Sequence, residues 1–175
     1  MRPHRYIGMI VAGSAVWLLT SALAQAPQAS GPGLRTIVKA GETTRELFLL
    51  GRSGTDVLYR TPTTPPGVSA SMKPDGIERA EFDIQVDEKA VFALARRREW
   101  LQAAQVILSS VRPTLPFLDL PDNNATDWAI RAGIYLRRAA LVAARGAPTE
   151  REKASQWMAS AQTVLQAAGR AEWHY

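Results

Sequence analysis

The sequence predicts an α+β protein: a small antiparallel β-barrel or sheet over residues 34–86, followed by helical hairpins over residues 87–170. Three observations lead there. Up to Val86, short apolar runs alternate with polar residues and are separated by glycine- and proline-bearing turns, the pattern of half-buried strands on hairpin spacing. From Asp87 onward the apolar spacing changes to a helical stripe. Pro113, Gly146 and Gly169 then divide this second part into pairs of helices.

The chain opens on Arg2 and Arg5, an uncharged run from Ile7 to Ala24, and the small-x-small sequence Ala22-Leu23-Ala24. This is the layout of a signal peptide over residues 1–24, with a mature chain beginning at Gln25 in the periplasm or outside the cell. The run also reaches the lower edge of a membrane-spanning length, so an uncleaved N-terminal anchor is the alternative. Gly8, Gly13, Ser14, Thr20 and Ser21 weaken such a span, and cleavage is the preferred expectation. Membrane association is expected only if that segment stays attached. From Gln25 to Gly33 the residues are small, polar or proline, with nothing to bury, and read as a flexible linker.

Strands are expected at Leu34–Lys39, Glu46–Leu50 and Asp56–Arg60, with turns at Ala40-Gly41-Glu42 and Gly51-Arg52-Ser53-Gly54. Three prolines in Thr61–Gly67 remove backbone donors and make a loop. Val68–Met72 alternates as a fourth strand, Lys73-Pro74-Asp75-Gly76 turns, and Ile77–Val86 is the last strand, in period two from Ala80.

Asp87 is placed to cap a helix whose stripe is Ala90, Val91, Leu94 and Ala95. A break at Arg97–Glu99 precedes a second stripe through Trp100, Leu101, Ala104, Ile107, Leu108 and Val111. Pro113–Pro121 is too apolar to stay in water and should pack back on the helices. Asn124-Ala125-Thr126-Asp127 can cap a third helix carrying Trp128, Ala132, Tyr135, Leu136, Ala139 and Val142. Thr149-Glu150-Arg151-Glu152 reads as a capping box for a fourth, with Ala154, Trp157, Met158, Ala161, Val164 and Leu165 inward. A short tail, residues 171–175, follows.

Removing 24 of 175 residues leaves 151, enough for one ordinary domain or two small ones sharing an interface. There is no cysteine, hence no disulfide, no thiol nucleophile, no thiolate metal site and no lipoprotein anchor. The formal charge of +5 falls to +3 without Arg2 and Arg5, too mild to suggest nucleic acid. His174 is the one imidazole left in the mature chain and lies at its end, so no Ser/His/Asp site or histidine metal site is expected. Glu81 and Asp83 fall on the solvent face of their strand, and Asp122-Asn123-Asn124 with Asp127 reads as a helix start, not a calcium loop. No phosphate loop is present. The expectation is no catalytic residue, no metal and no cofactor. Trp100, Trp128 and Trp157 fit core positions of helices. What remains is basic: Arg97, Arg98, Arg137 and Arg138 are the candidate partner-binding residues.

The segment Ala90–Pro113 resembles one tetratricopeptide unit. Arg98-Glu99-Trp100-Leu101-Gln102-Ala103 stands at its central stretch, with arginine where the family has glycine and the closing proline about two residues early. Trp128–Ala168 is similar in architecture, with a longer first helix. Together with the leader and a β-unit similar to a small Sm-like barrel, the chain resembles uncharacterised envelope proteins of the verrucomicrobial and planctomycete kind. That resemblance implies a non-enzymatic scaffold or adaptor that binds a protein partner in the cell envelope, or a second copy of itself, through its helical hairpins. Binding of an envelope polymer, peptidoglycan or anionic lipid, is the alternative.

Overall fold

The computed structural model describes residues 33–169. The expected signal peptide, nearly all of the linker, and the tail with Trp173 and His174 lie outside them.

Five strands, β1 (Leu34–Ala40), β2 (Thr43–Ser53), β3 (Asp56–Arg60), β4 (Ala70–Met72) and β5 (Arg79–Phe82), form one antiparallel sheet. The order across it is β4-β3-β2-β1-β5, which leaves the sheet open with β4 and β5 at its edges. Period-two alternation sends Thr36, Val38, Leu47, Leu49, Val57, Ala80 and Phe82 to one buried face.

β2 runs past the turn expected at Gly51. A bulge between Leu49 and Gly51 shifts the register against β3, so the strand continues to Ser53 and the chain reverses at Gly54-Thr55 instead. Conversely, β5 stops at Phe82 and not at Val86. Asp83 donates the last backbone bond, to the Arg35 carbonyl at 3.0 Å, after which the Ile84 N–H turns back on the Phe82 carbonyl.

The outer edge of β5 is closed from a distance. Ala80 N–H donates to the Pro121 carbonyl at 3.2 Å, and the Asn124 side chain both accepts from Phe82 N–H and donates to the Phe82 carbonyl, each at 2.9 Å. An edge that could pair with another chain is thereby blunted. Asn124→Ala leaves both Phe82 groups without their partner and is expected to lower stability by about 1–3 kcal/mol. An unchanged urea midpoint would show that water satisfies this edge equally well.

Four helices follow: α1 (Glu88–Arg96), α2 (Trp100–Val111), α3 (Thr126–Ala143) and α4 (Pro148–Ala167). Each packs on the next in sequence, α1 on α2, α2 on α3 and α3 on α4. Asp87 caps α1 as expected, its carboxylate accepting from Ala90 N–H at 2.9 Å. The caps of the other two predicted starts differ. At α3 it is Asn123 that accepts from the N–H groups of Ala125 and Thr126, because Asn124 is committed to β5. At α4 the box Thr149–Glu152 does not form; Pro148 occupies the first turn, where its missing N–H costs nothing, and no side chain caps the end.

Arg98, between α1 and α2, has φ +61°, the left-handed conformation that a Cβ disfavours. Arg98→Gly is expected to raise stability by about 0.5–1 kcal/mol, the relief of strain being partly offset by the freer unfolded chain. Thermal unfolding of the variant checks this, and a lowered Tm would mean that the arginine side chain holds the turn.

The Pro-rich connection packs inward as anticipated. It continues α2 as a 3-10 run over Arg112–Phe117 and buries Thr114, Phe117, Leu118 and Leu120. From β2, Arg52 donates to the Pro116 carbonyl at 3.1 Å, pairs with Asp119 and lies over the Phe117 ring. One apolar cluster consequently runs from Val38 and Leu49 on the sheet, through Phe117 and Leu120, to Ile107, Leu136 and Val164 on the helices. A second, smaller cluster of Ala140, Ala143 and Ala154 joins the far ends of α3 and α4, with Trp157 and Met158 against it.

Candidate functional site

Charge on the sheet is largely paired. Across β1, β2 and the end of β5, Arg35 Nε lies 2.7 Å from Glu46 and Nη1 lies 3.5 Å from Asp83; Lys39 Nζ lies 2.9 Å from Glu78. The hydrogen bond from Arg35 to Glu46 raises the guanidinium above its ordinary pKa, and the bond from Lys39 holds the Glu78 carboxyl below the usual carboxylate range. A carboxyl depressed in this way supports the fold above its unfolded pKa, and the support is lost as pH falls through the folded value. Both pairs are solvated, so the effect is small.

The α1–α3 side is different. Two of its arginines, Arg131 and Arg138, lie on aromatic faces and not on carboxylates. Arg131, half-buried on α3, has its guanidinium carbon 4.7 Å from the Trp128 ring centre on its own helix and 5.3 Å from the Phe92 ring on α1. Two turns on, Arg138 lies 5.0 Å over the Trp100 ring, which itself meets Tyr135 of α3 at 5.6 Å, tilted by 36°. Helical spacing explains the arrangement. Positions 128, 131, 135 and 138 are three and four residues apart, so they lie along one stripe of α3.

Neither Arg131 nor Arg138 makes a salt bridge with a carboxylate among the described residues. Among the described residues no buried side-chain nitrogen or oxygen lacks a hydrogen-bond partner, and Arg138 is exposed to water. A guanidinium stacked on a ring keeps its donor-bearing edges available for a carboxylate or phosphate. Phe92 is 42% exposed beside them, and beyond Arg138 the stripe continues into Leu141 and Val142, 52% and 65% exposed.

Of the four arginines singled out in the sequence, Arg138 belongs to this face. Arg97 is tied to Glu99 at 3.2 Å, Arg98 forms the turn just before Trp100, and Arg137 points about 100° around α3 from Arg138. Arg131 was not among them. Its signal was the recurrence of an aromatic residue three positions before an arginine, Trp128 before Arg131 and Tyr135 before Arg138. Of the tryptophans expected in the core, Trp128 and Trp157 pack against it and Trp100 meets Tyr135 instead, while Trp100 and Trp128 each also carry an arginine.

An open cleft of about 760 Å³ lies between sheet and connector, lined by Arg52, Lys73, Asp75, Leu115, Pro116 and Asp119. Its guanidinium is already bound by Asp119 and the carbonyls of Pro116 and Thr55. Among the described residues, no three His, Cys, Asp or Glu side chains converge as metal ligands, and no helix is long and apolar enough to cross a membrane. Comparison with protein families, curated proteins and solved structures finds no match for this chain.

Proposed function

We propose that the protein is a non-enzymatic scaffold of the cell envelope, exported by its N-terminal segment, that binds a protein partner on the face shared by α1 and α3. The observation that carries this reading is the pair Arg131 and Arg138, spread on the rings of Phe92, Trp128 and Trp100 with no carboxylate of the described residues to satisfy them. Aromatic residues and arginine are the side chains that most often dominate binding energy in protein interfaces. The sequential packing of the helices, with Phe92 of α1 reaching Arg131 of α3, supports a tetratricopeptide-like array in which the first helices of successive hairpins share a binding surface. The open sheet would then act as the cap that a two-hairpin stack needs, since one apolar cluster joins them.

Site-specific photocrosslinking in the native envelope tests the proposal. A crosslinker replacing Phe92 should capture a defined protein, or a second copy of this chain. One replacing Lys153, on the exposed side of α4, should not. Capture only of lipid or peptidoglycan at position 92, or identical products at both positions, would replace the scaffold reading with envelope-polymer binding.

A further inference from the structure

The stripe on α3 is regular beyond the two stacked pairs. Trp128, Tyr135 and Val142 recur every seven residues along α3, and Arg131 and Arg138 stand three positions after the first two; Arg145 continues the spacing in sequence but lies in the turn past the end of α3. On an α-helix seven residues rise about 10.5 Å and return to nearly the same angle, short by about 20°. The chain therefore presents two parallel rows, one apolar and one basic, each with a step of about 10.5 Å. Their far end stands open: Val142 is 65% exposed, and Arg138 has no carboxylate partner among the described residues.

We infer that the occupant of this face is an acidic amphipathic α-helix of the partner, carrying Asp or Glu at seven-residue steps beside a row of apolar residues. The inference rests on the scaffold reading and names its partner's chemistry. Period decides among backbones. A β-strand brings same-side residues round at about 6.7 Å or 13 Å, matching neither row. A polyproline helix repeats at about 9.3 Å and falls a further 1.2 Å behind with each step. A second α-helix repeats at the same roughly 10.5 Å, so two carboxylates seven residues apart can meet Arg131 and Arg138 while its apolar row follows Trp128, Tyr135 and Val142. Charge points the same way. α3 carries Arg131 and Arg138 with no carboxylate partner among the described residues, whereas Arg35 and Lys39 on the sheet are paired with Glu46 and Glu78. A planar phosphate surface fits less well. Arg131 sits in the crease between Phe92 of α1 and Trp128 of α3, half-buried, where a flat layer of headgroups does not reach.

The test uses the mature chain and two synthetic 21-residue peptides of identical Ala, Leu, Gln and Glu composition. One has Glu at seven-residue steps beside a row of Leu; in the other the same residues are permuted so that Glu circles the helix. Calorimetric titration at low salt should show the in-register peptide binding at least about tenfold more tightly, a difference of about 1.4 kcal/mol. The double variant R131Q/R138Q should remove that preference, and R131K/R138K should retain part of it. Arg138 is exposed, Arg131 is half-buried, and neither holds a salt bridge among the described residues, so circular dichroism should report folded proteins. Raising the salt to 0.3 M should weaken the in-register complex. Equal affinity for the two peptides, an unaffected R131Q/R138Q variant, or binding only to phosphatidylglycerol vesicles overturns the inference. If position 92 crosslinks to a protein whose contacting segment is not an acidic helix, the inference fails while the scaffold reading stands. If it crosslinks to no protein, both fail.

Discussion

Phe117→Ala is expected to lower the free energy of unfolding by about 3–5 kcal/mol, among the largest effects available to a single substitution in this chain. Phe117 is 3% exposed at the end of the 3-10 run, within the one apolar cluster that contains both sheet and helix residues. Removing its ring opens a void that the surrounding Leu118, Leu120 and Leu49 fill only in part, because each is itself packed and nearly inaccessible. The loss does not stop there. Arg52 rests on the same ring at 5.7 Å while its nitrogens hold Thr55, Pro116 and Asp119, so the clamp between β2 and the connector loses its floor. Phe117→Leu keeps most of the volume and should cost only about 1 kcal/mol. Urea unfolding followed by far-ultraviolet circular dichroism and by tryptophan fluorescence measures both. A loss below about 1 kcal/mol for the alanine variant would mean that the connector is not what joins the two parts.

Trp100→Ala is expected to cost about 2–3 kcal/mol, less than for a fully enclosed ring because Trp100 is half-buried. This side chain begins α2, faces Tyr135 of α3 and carries Arg138 on its other side. Its removal loosens the packing of α2 on α3 and leaves the Arg138 guanidinium with no platform, so binding by the proposed α1–α3 face should fall together with stability. Arg138→Gln serves as the contrast. It should leave stability within about 0.5 kcal/mol of the parent while weakening binding. If Trp100→Ala left both properties intact, the packing of the hairpins and the proposed face would both be refuted.

Much of the fold was legible because it rests on local rules. The alternation that buries Val38, Leu47, Leu49 and Phe82 is visible in sequence, and so are the helical stripes ending at Val111 and near Gly169. What was not legible depended on distant partners. Whether Asn123 or Asn124 caps α3 is decided by Phe82, 42 residues away, which claims the second amide. The bulge that lets β2 run through Gly51 is set by its pairing with β3, and the early end of β5 by the last bond that Arg35 offers. The sequence left barrel and sheet as alternatives; the described strands form an open sheet, since closure is a matter of how edges meet and no local pattern encodes it. The proposed face was half visible. Arg138 was noticed as part of a basic run, but Arg131 stands alone in sequence, and its platform on Phe92 exists only once α1 and α3 are side by side.

The bonds from Pro121 and Asn124 to β5 also constrain the order of events when the chain folds. β5 has its inner neighbour, β1, about 40 residues behind it, and its outer neighbours about 40 residues ahead. The first 86 residues can therefore pair their strands but cannot finish the last one. Its edge and the apolar face of the sheet wait for a segment that follows two further helices. Contacts of such sequence separation are slow to form and mutually dependent. A chain delivered from its N-terminus is thus obliged to postpone completion of its first half until most of the second has arrived, and the two then settle together. Trp100, Trp128 and Trp157 all lie on helices, yet their fluorescence is expected to follow the sheet as well, because one apolar cluster holds residues of both.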